Sequence, residues 1–382
     1  MDTYLIILFM FTFVYAAGLW YLSNGFNQIK KQGRTDSKPM VSVIVSAHNE
    51  ETHLPGCLEC LQAQEYPPEK VEFLIVDDRS TDATGAVTDR FAEQDTRFRP
   101  ISIKDRRPDF APKKRAIDTA IRHARGEVIL LTDADGRPGS NWVSGMVSYF
   151  TEQTDMVIGY APYTVKPAGH FTKSLLALEY LSHAAVAAAT CGLGFPVTCV
   201  GTNMGYRKKL YTEIGGFGEY KPFISGDDDL FLTRVREAKQ YTIRYADAPE
   251  THVYNDPPQL WSKFLHQRMR YASKGFSYPK KVTAGLLAYY LFNLFMFVGL
   301  LGFLFVPAVF YPVLAAYGIK SVGEFYFMNL AGKTLHDTRF ISRIPLVQVL
   351  HIPYVVVFGF LGQFKRFRWA EAHSEAAVQK MA

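Results

Sequence analysis

Cysteine is scarce in this chain, at 4 residues in 382. A disulfide framework is unsupported, and a reducing compartment fits better. Cys57 and Cys60 form a single CxxC with no second ligand pair, so they read as two positions on one helix rather than half of a zinc site. No GxGxxG and no GxxxxGK[ST] follows the first predicted strand, which removes the dinucleotide fold and the P-loop. There is no internal repeat and no low-complexity tract. The charge is only mildly unbalanced: 42 Lys+Arg against 36 Asp+Glu leave a net +6. No basic stripe with interleaved aromatics accompanies it, so nucleic acid is not an expected partner.

Long apolar runs are present. Tyr4 to Leu22 carries no charge and is long enough to span about 30 Å of hydrocarbon. A cleaved signal peptide would start basic, but this one starts with Asp2 and its basic residues (Lys30, Lys31, Arg34, Lys38) follow the run. The positive-inside rule then puts the N-terminus outside and the following domain in the cytosol. A second run extends from Thr283 to Gly318, where Pro307 and Pro312 can break it into a hairpin. A third covers Ile344 to Gly362 and is followed by the basic "KRFRW". A cytosolic tail requires an even number of crossings between Lys281 and Lys365, so three spans break the charge rule unless one is re-entrant or interfacial. The expected organisation is an anchor over 1–24, a cytosolic domain over 40–255, an interfacial helix over 256–282, a membrane region over 283–364 and a cytosolic tail over 365–382. The expected location is the cytoplasmic (inner) membrane, crossed more than once.

The middle of the chain alternates strands and helices. "VSVIVSA", "EFLIVDD", "FRPISI", "EVILLTD" and "DMVIGY" read as strands, and "LPGCLECLQAQ" and "KKRAIDTAIRHA" as helices. Continuously apolar strands between helices imply an α/β domain with a mostly parallel sheet covered on both faces. Ligands of such sheets bind at the carboxyl ends of the strands. Polar residues gather there: His48-Asn49-Glu50, Asp77-Asp78, then Asp133 and Asp135.

Two aspartates at i and i+2 on an extended turn can approach one hard divalent cation, Mg²⁺ or Mn²⁺, whose other ligands are usually phosphate oxygens. A capped turn explains an isolated pair equally well. "SGDDDLFL" places Asp227, Asp228 and Asp229 together; a helix N-terminus would offset their repulsion, and one could serve as a general base. In "HQRMRY", Gln267, Arg270 and Tyr271 share one helix face, and a guanidinium suits a diphosphate. Trp261, Phe264 and Leu265 make an apolar stripe beside Lys263 and Arg268, as in a helix lying in the membrane interface.

These segments resemble a membrane-bound family 2 glycosyltransferase of the GT-A fold, in the cellulose-synthase-like superfamily. The matching stretches are "VSVIVSAHNEE", "FLIVDDRSTDAT", "APKKRAID", "LLTDADGRPGSNW", "GTNMGYRKKLYTEIGGF", "ISGDDDLFLTRV" and "FLHQRMRYASKG", in the family's order. The resemblance implies a nucleotide-sugar donor, usually a UDP-sugar, a divalent metal, and transfer with inversion. It implies that Glu50 and Asp78, with His48 beside them, hold the nucleoside and that Lys113 lies near the diphosphate. Asp133 would face the nucleotide sugar and Asp135 would ligate the metal. Gln267, Arg270 and Tyr271 correspond to QxxRW, with tyrosine in place of tryptophan. Aligning on Asp229-Leu230 puts Asp227 at the base position and Gly226 where a glutamate often stands, which leaves the base open between Asp227 and Asp228. The expected partners are the donor, a lipid or membrane-bound glycan acceptor, and the bilayer. Two alternatives stand beside this reading. "DADG" also opens haloacid-dehalogenase-like phosphatases, but there it follows the first strand, and here the fourth. A catalytically silent membrane protein that only binds nucleotide sugar or partner proteins is the other.

Overall fold

A computed structural model describes residues 1–167, 170–258, 280–302 and 304–364. Gln267, Arg270 and Tyr271, the apolar stripe before them and the tail 365–382 lie outside the described residues. Two compact units divide the chain. One comprises Leu22–Asp256 with Met328–Phe340, the other Met1–Tyr21 with 257–327 and 341–382.

The first unit is built on seven strands: β1 (Val41–Ala47), β2 (Val71–Asp78), β3 (Phe98–Ile103), β4 (Val128–Asp133), β6 (Met156–Gly159), β7 (Met204–Arg207) and β8 (Ile243–Ala246). Their order is β3-β2-β1-β4-β7-β6-β8. β7 runs antiparallel to β4 and β6, and every other pairing in the sheet is parallel. The expected mostly parallel sheet is present. Helices α2 (Leu54–Gln62), α3 (Thr84–Gln94) and α4 (Pro112–His123) connect the first four strands. Val43, Val45, Phe73, Ile75 and Leu130 are fully buried in one core with Leu54, Cys57, Leu58 and Leu61 of α2. Cys57 and Cys60 thus stand on one helix, as their spacing indicated. A two-stranded ribbon, β5 (Arg137–Pro138) with β9 (Val253–Tyr254), continues directly from the DADG turn. α5 (Trp142–Val147) and α7 (Lys208–Glu213) complete the frame, and α8 (Asp229–Glu237) starts on the last aspartate of the DDD cluster.

Sequence patterning gave no element between β6 and β7. The chain there forms α6 (Phe171–Gly192), an alanine-rich helix that is more than half buried and lies against β8. The end of the N-terminal helix, α1 (Asp2–Ile29), passes it at van der Waals range. A Cβ added to Gly25 would sit 2.0 Å from the Ala189 carbonyl oxygen, and one on Gly192 would sit 2.1 Å from the Gly25 oxygen. Only glycine lets two helix backbones approach this closely.

The second unit carries long apolar helices. α9 (Lys280–Gly302), α10 (Phe310–Thr334) and α11 (Ile344–Phe364) follow in chain order, with the predicted break falling around Pro307. Among the described residues, four helices are long and apolar enough to cross a membrane: Asp2–Ile29, Phe171–Gly192, Val282–Gly302 and Ile341–Gly362. α10 runs well past Gly318, where the apolar run ends, because its charges are paired within the unit. Lys320 Nζ lies 2.6 Å from Glu324 Oε1, one turn on. Glu324 also accepts from the Tyr15 hydroxyl at 2.6 Å and from Gln348 Nε2 at 3.2 Å. Ionisable residues inside such helices persist where partners face them.

Candidate active site

The register of the parallel strands sets the site. Ser46 pairs with Asp133 and Ala47 with Asp77, so the loops after β1, β2 and β4 leave the sheet side by side. After β1 the chain turns through Asn49 at φ 55°, a left-handed conformation that asparagine tolerates. Asn49 Oδ1 accepts from Thr81 N at 2.8 Å, and Glu50 N donates to Thr84 Oγ1 at 2.8 Å, locking this loop to the next. His48 Nδ1 lies 2.6 Å from the Asp78 carbonyl oxygen, and His53 Nδ1 lies 2.9 Å from Glu50 Oε2.

Asp78 is nearly inaccessible. Arg79, itself left-handed at φ 61°, forks onto it with Nε 2.8 Å from Oδ1 and Nη2 3.0 Å from Oδ2. Arg115 Nη2 adds a third contact at 3.2 Å. Bidentate guanidinium pairs of this kind are the stronger ion pairs and help hold the strained turn. Neither arginine carried a recognisable signal in the sequence, since nothing about an arginine beside "VDD" announces a left-handed backbone.

β4 ends at Asp133, and Gly136 N closes the turn onto the Asp133 carbonyl at 2.9 Å. A Cβ on Gly136 would sit 2.5 Å from Thr132 Oγ1, so this turn requires glycine. The two aspartates are inequivalent. Asp135 reaches solvent at the surface yet is crowded by protein. Lost hydration, then the charges of Asp133 and Glu50, push its pKa up to about 6. Asp133 instead meets Lys113, whose Nζ lies 2.7 Å from Asp133 Oδ1 and 2.9 Å from Asp227 Oδ2. Burial works against the Lys113 charge, but the two carboxylates outweigh it and raise its pKa well above the ordinary lysine value.

The three consecutive aspartates have separate duties. Asp228 caps α8: its Oδ1 accepts from Asp229 N at 2.7 Å and its Oδ2 from Gly201 N at 3.2 Å. Asp229 Oδ1 accepts from Thr198 Oγ1 at 2.9 Å and Cys199 N at 3.1 Å. Asp227 faces the Lys113 ammonium. Backbone donors offset two of the charges and a cation the third, so the cluster's repulsion is relieved at each member. Gly226, where a glutamate was the pattern's usual residue, stands at φ 85°, and a Cβ there would meet Leu230 Cγ at 2.5 Å. No side chain fits this loop.

Glu50, Asp78, Lys113, Asp133, Asp135 and Asp227 therefore gather on one edge of the sheet, with His48 under the Asp78 backbone. Gly201, in "GTNMG", also belongs to the site: its missing Cβ leaves room for Asp227. Among the described residues, no group of three or more His, Cys, Asp or Glu side chains is set to hold a metal ion alone. The mutual repulsion of Asp135 with Asp133 and Glu50 nevertheless suits one hard divalent cation completed by phosphate oxygens.

Residues 42–215 match the family Glycosyl transferase family 2. The chain is 26% identical over 309 residues to the probable glycosyltransferase YdaM of Bacillus subtilis, covering 77% of this chain and 68% of that protein. It is 26% identical over 247 residues to a beta-monoglucosyldiacylglycerol synthase of Synechocystis, covering 62% of this chain and 48% of that one. Among solved structures, a Pyrobaculum calidifontis mannosyltransferase in complex with GDP-Man and Mn²⁺ superposes with a TM-score of 0.57 at 20% identity, covering 94% of this chain and 96% of that one. That likeness bears on the fold, which is GT-A. Residues 42–215 are thus a glycosyl transferase family 2 domain, on a GT-A fold.

Proposed function

We propose that this glycosyltransferase moves a sugar, with inversion, from a UDP-sugar to a lipid or glycan acceptor at the membrane, using Mg²⁺ or Mn²⁺. The observation that carries the reading is the Lys113 ammonium, which touches Asp133 on one side and Asp227 on the other. One cation thereby joins the carboxylate assigned to the donor with the carboxylate assigned to the acceptor.

In this reading Glu50 and His48 receive the nucleoside, and Asp78, its carboxylate held by Arg79 and Arg115, fixes the loop beneath it. Asp135 ligates the metal beside Asp133, and Lys113 meets the diphosphate. Gln267, Arg270 and Tyr271 are assigned to the diphosphate on their sequence pattern. A bound divalent ion supplies charge neutralisation for the leaving diphosphate. Asp227 removes the acceptor hydroxyl proton as that oxygen bonds to the anomeric carbon. The carbon–oxygen bond to the nucleoside diphosphate breaks, and the leaving group takes the electron pair. Asp227 is preferred over Asp228 because both Asp228 oxygens accept backbone N–H groups. The Synechocystis relative, named for a glucosyl diacylglycerol product, and the apolar helices support a lipid acceptor.

Asp227→Asn tests this directly. It is expected to keep UDP binding and lose transfer by about 10²–10⁴-fold, the usual worth of a general base. Normal transfer by that variant would refute the assignment. Mass spectrometry of membrane lipids with and without the gene identifies the acceptor.

A further inference from the structure

We propose that Lys114 is a positioning residue for sugar transfer, holding Asp227 in place independently of Lys113. The proposal rests on the reading of Asp227 as the base.

Lys113 and Lys114 are consecutive in the first turn of α4, so they point about 100° apart around the helix. Lys113 reaches the site. Lys114 turns inward and is fully buried. Its Nζ donates to three backbone carbonyls: Tyr220 at 2.7 Å, Phe223 at 2.9 Å and Ser225 at 3.1 Å. Those bonds use the three donors an ammonium has. The rings of Phe217 and Phe223 each lie 5.9 Å from the same atom, adding cation–π attraction. Ala111 N, just before the helix, donates to the Lys221 carbonyl at 2.8 Å.

The hydrogen-bonded anchors all fall on one segment, 218–225, a 3₁₀ turn running into a loop, and the last of them is two residues before Asp227. The N-terminus of α4 thus grips the Asp227 segment twice. The Lys113 grip is a side-chain ion pair that weakens whenever its ammonium is shared with diphosphate oxygens. The Lys114 grip is to the backbone and does not change with the donor. Asp227 accordingly stays aligned with the acceptor during the step in which Lys113 is drawn away. Misplacing a reacting group by about 1 Å can cost on the order of 10²-fold in rate.

The test uses the full chain in its expression membranes, with UDP-glucose as donor and UDP release counted per bound UDP. Lys114→Met is expected to keep UDP affinity within about twofold and to lose roughly tenfold to a hundredfold in turnover per bound UDP. Lys114→Arg, which again offers several donors to the carbonyls, is expected to recover most of that loss. Unchanged turnover per bound UDP in Lys114→Met overturns the proposal. Should Lys114→Met bind no UDP, hydrogen exchange of the wild-type chain decides: amides of 218–225 exchanging as slowly as those of α4 uphold the clamp, and fast exchange overturns it. Asp227→Asn measured alongside separates the two ideas. Wild-type turnover in that variant removes the base assignment, while slow exchange at 218–225 still reports the clamp.

Discussion

Gly201 and Asp227 are fitted to each other: a Cβ on Gly201 would lie 2.9 Å from Asp227 Oδ2, inside van der Waals contact. The same Gly201 donates its N–H to Asp228 Oδ2, so it cannot retreat without losing that bond. Gly201→Ala should therefore displace the Asp227 carboxylate while leaving the donor pocket intact. Transfer is expected to fall about tenfold or more with UDP affinity preserved. Steady-state kinetics against a UDP-binding isotherm checks this, and equal losses in both would point to general misfolding instead.

Asp135 carries a cost in the metal-free protein. Its pKa, raised to about 6, means the folded state resists its ionisation. Stability from this group is fully present below the unfolded value of about 4 and is lost as pH rises through 6. Asp135→Asn should then raise the metal-free melting temperature at pH 7.5, show little difference near pH 4, and abolish Mn²⁺-dependent donor turnover. A lower melting temperature at pH 7.5 would contradict the crowding of charge at this corner.

His252 gives the opposite pH response. It is 3% exposed, and burial, only partly countered by Asp337, depresses its pKa to about 4. The unfolded chain binds the proton first, so stability holds above about pH 6.5 and drains away as pH falls to 4. The shift corresponds to about 3 kcal/mol at full effect. Denaturant melts between pH 7.5 and 4.5 should show this slope, and His252→Gln should flatten it.

The crossing at Gly25 supplies a paired experiment within one helix. Gly25→Leu would drive its side chain into the Ala189 carbonyl, whereas a Cβ on Gly18 meets nothing within 4 Å. Gly25→Leu is expected to give little folded protein, and Gly18→Leu a normal yield by detergent gel filtration. Equal yields would mean that α1 does not cross α6 at this point.

The segment joining α10 to α11 belongs to the same compact unit as the sheet. The Tyr160 hydroxyl donates to Asp337 Oδ2 at 3.0 Å, and Arg339 Nη2 donates to the Tyr163 carbonyl at 3.3 Å. A cysteine placed at Thr338 should be labelled from whichever face of the membrane labels the catalytic domain. Labelling from the opposite face would contradict the contacts of Asp337 and Arg339 with Tyr160 and Tyr163.

Much of this is legible in the sequence. Strands β1, β2 and β4 show as mostly apolar runs, and their polar ends mark Glu50, Asp78, Asp133 and Asp135. What stayed hidden has physical reasons. α6 has too much alanine and too little alternation to declare a face. α10 looked interrupted because Lys320 and Glu324 are each polar, and only pairing makes them tolerable inside a bundle. Lys113 and Lys114 are adjacent and identical as letters, so periodicity could not show that one reaches the site and the other grips a loop. Gly226 looked like a departure from pattern until its φ of 85° made it a requirement.

The run Asp227-Asp228-Asp229 behaves like a reading frame. Three identical residues are told apart only by phase: the first meets an ammonium, the second the cap of α8, the third the Thr198–Cys199 backbone. Deleting one residue just upstream would preserve all three carboxylates and the local composition. It would nonetheless pass each aspartate its neighbour's partner, so the segment's information lies in its offset rather than in its content.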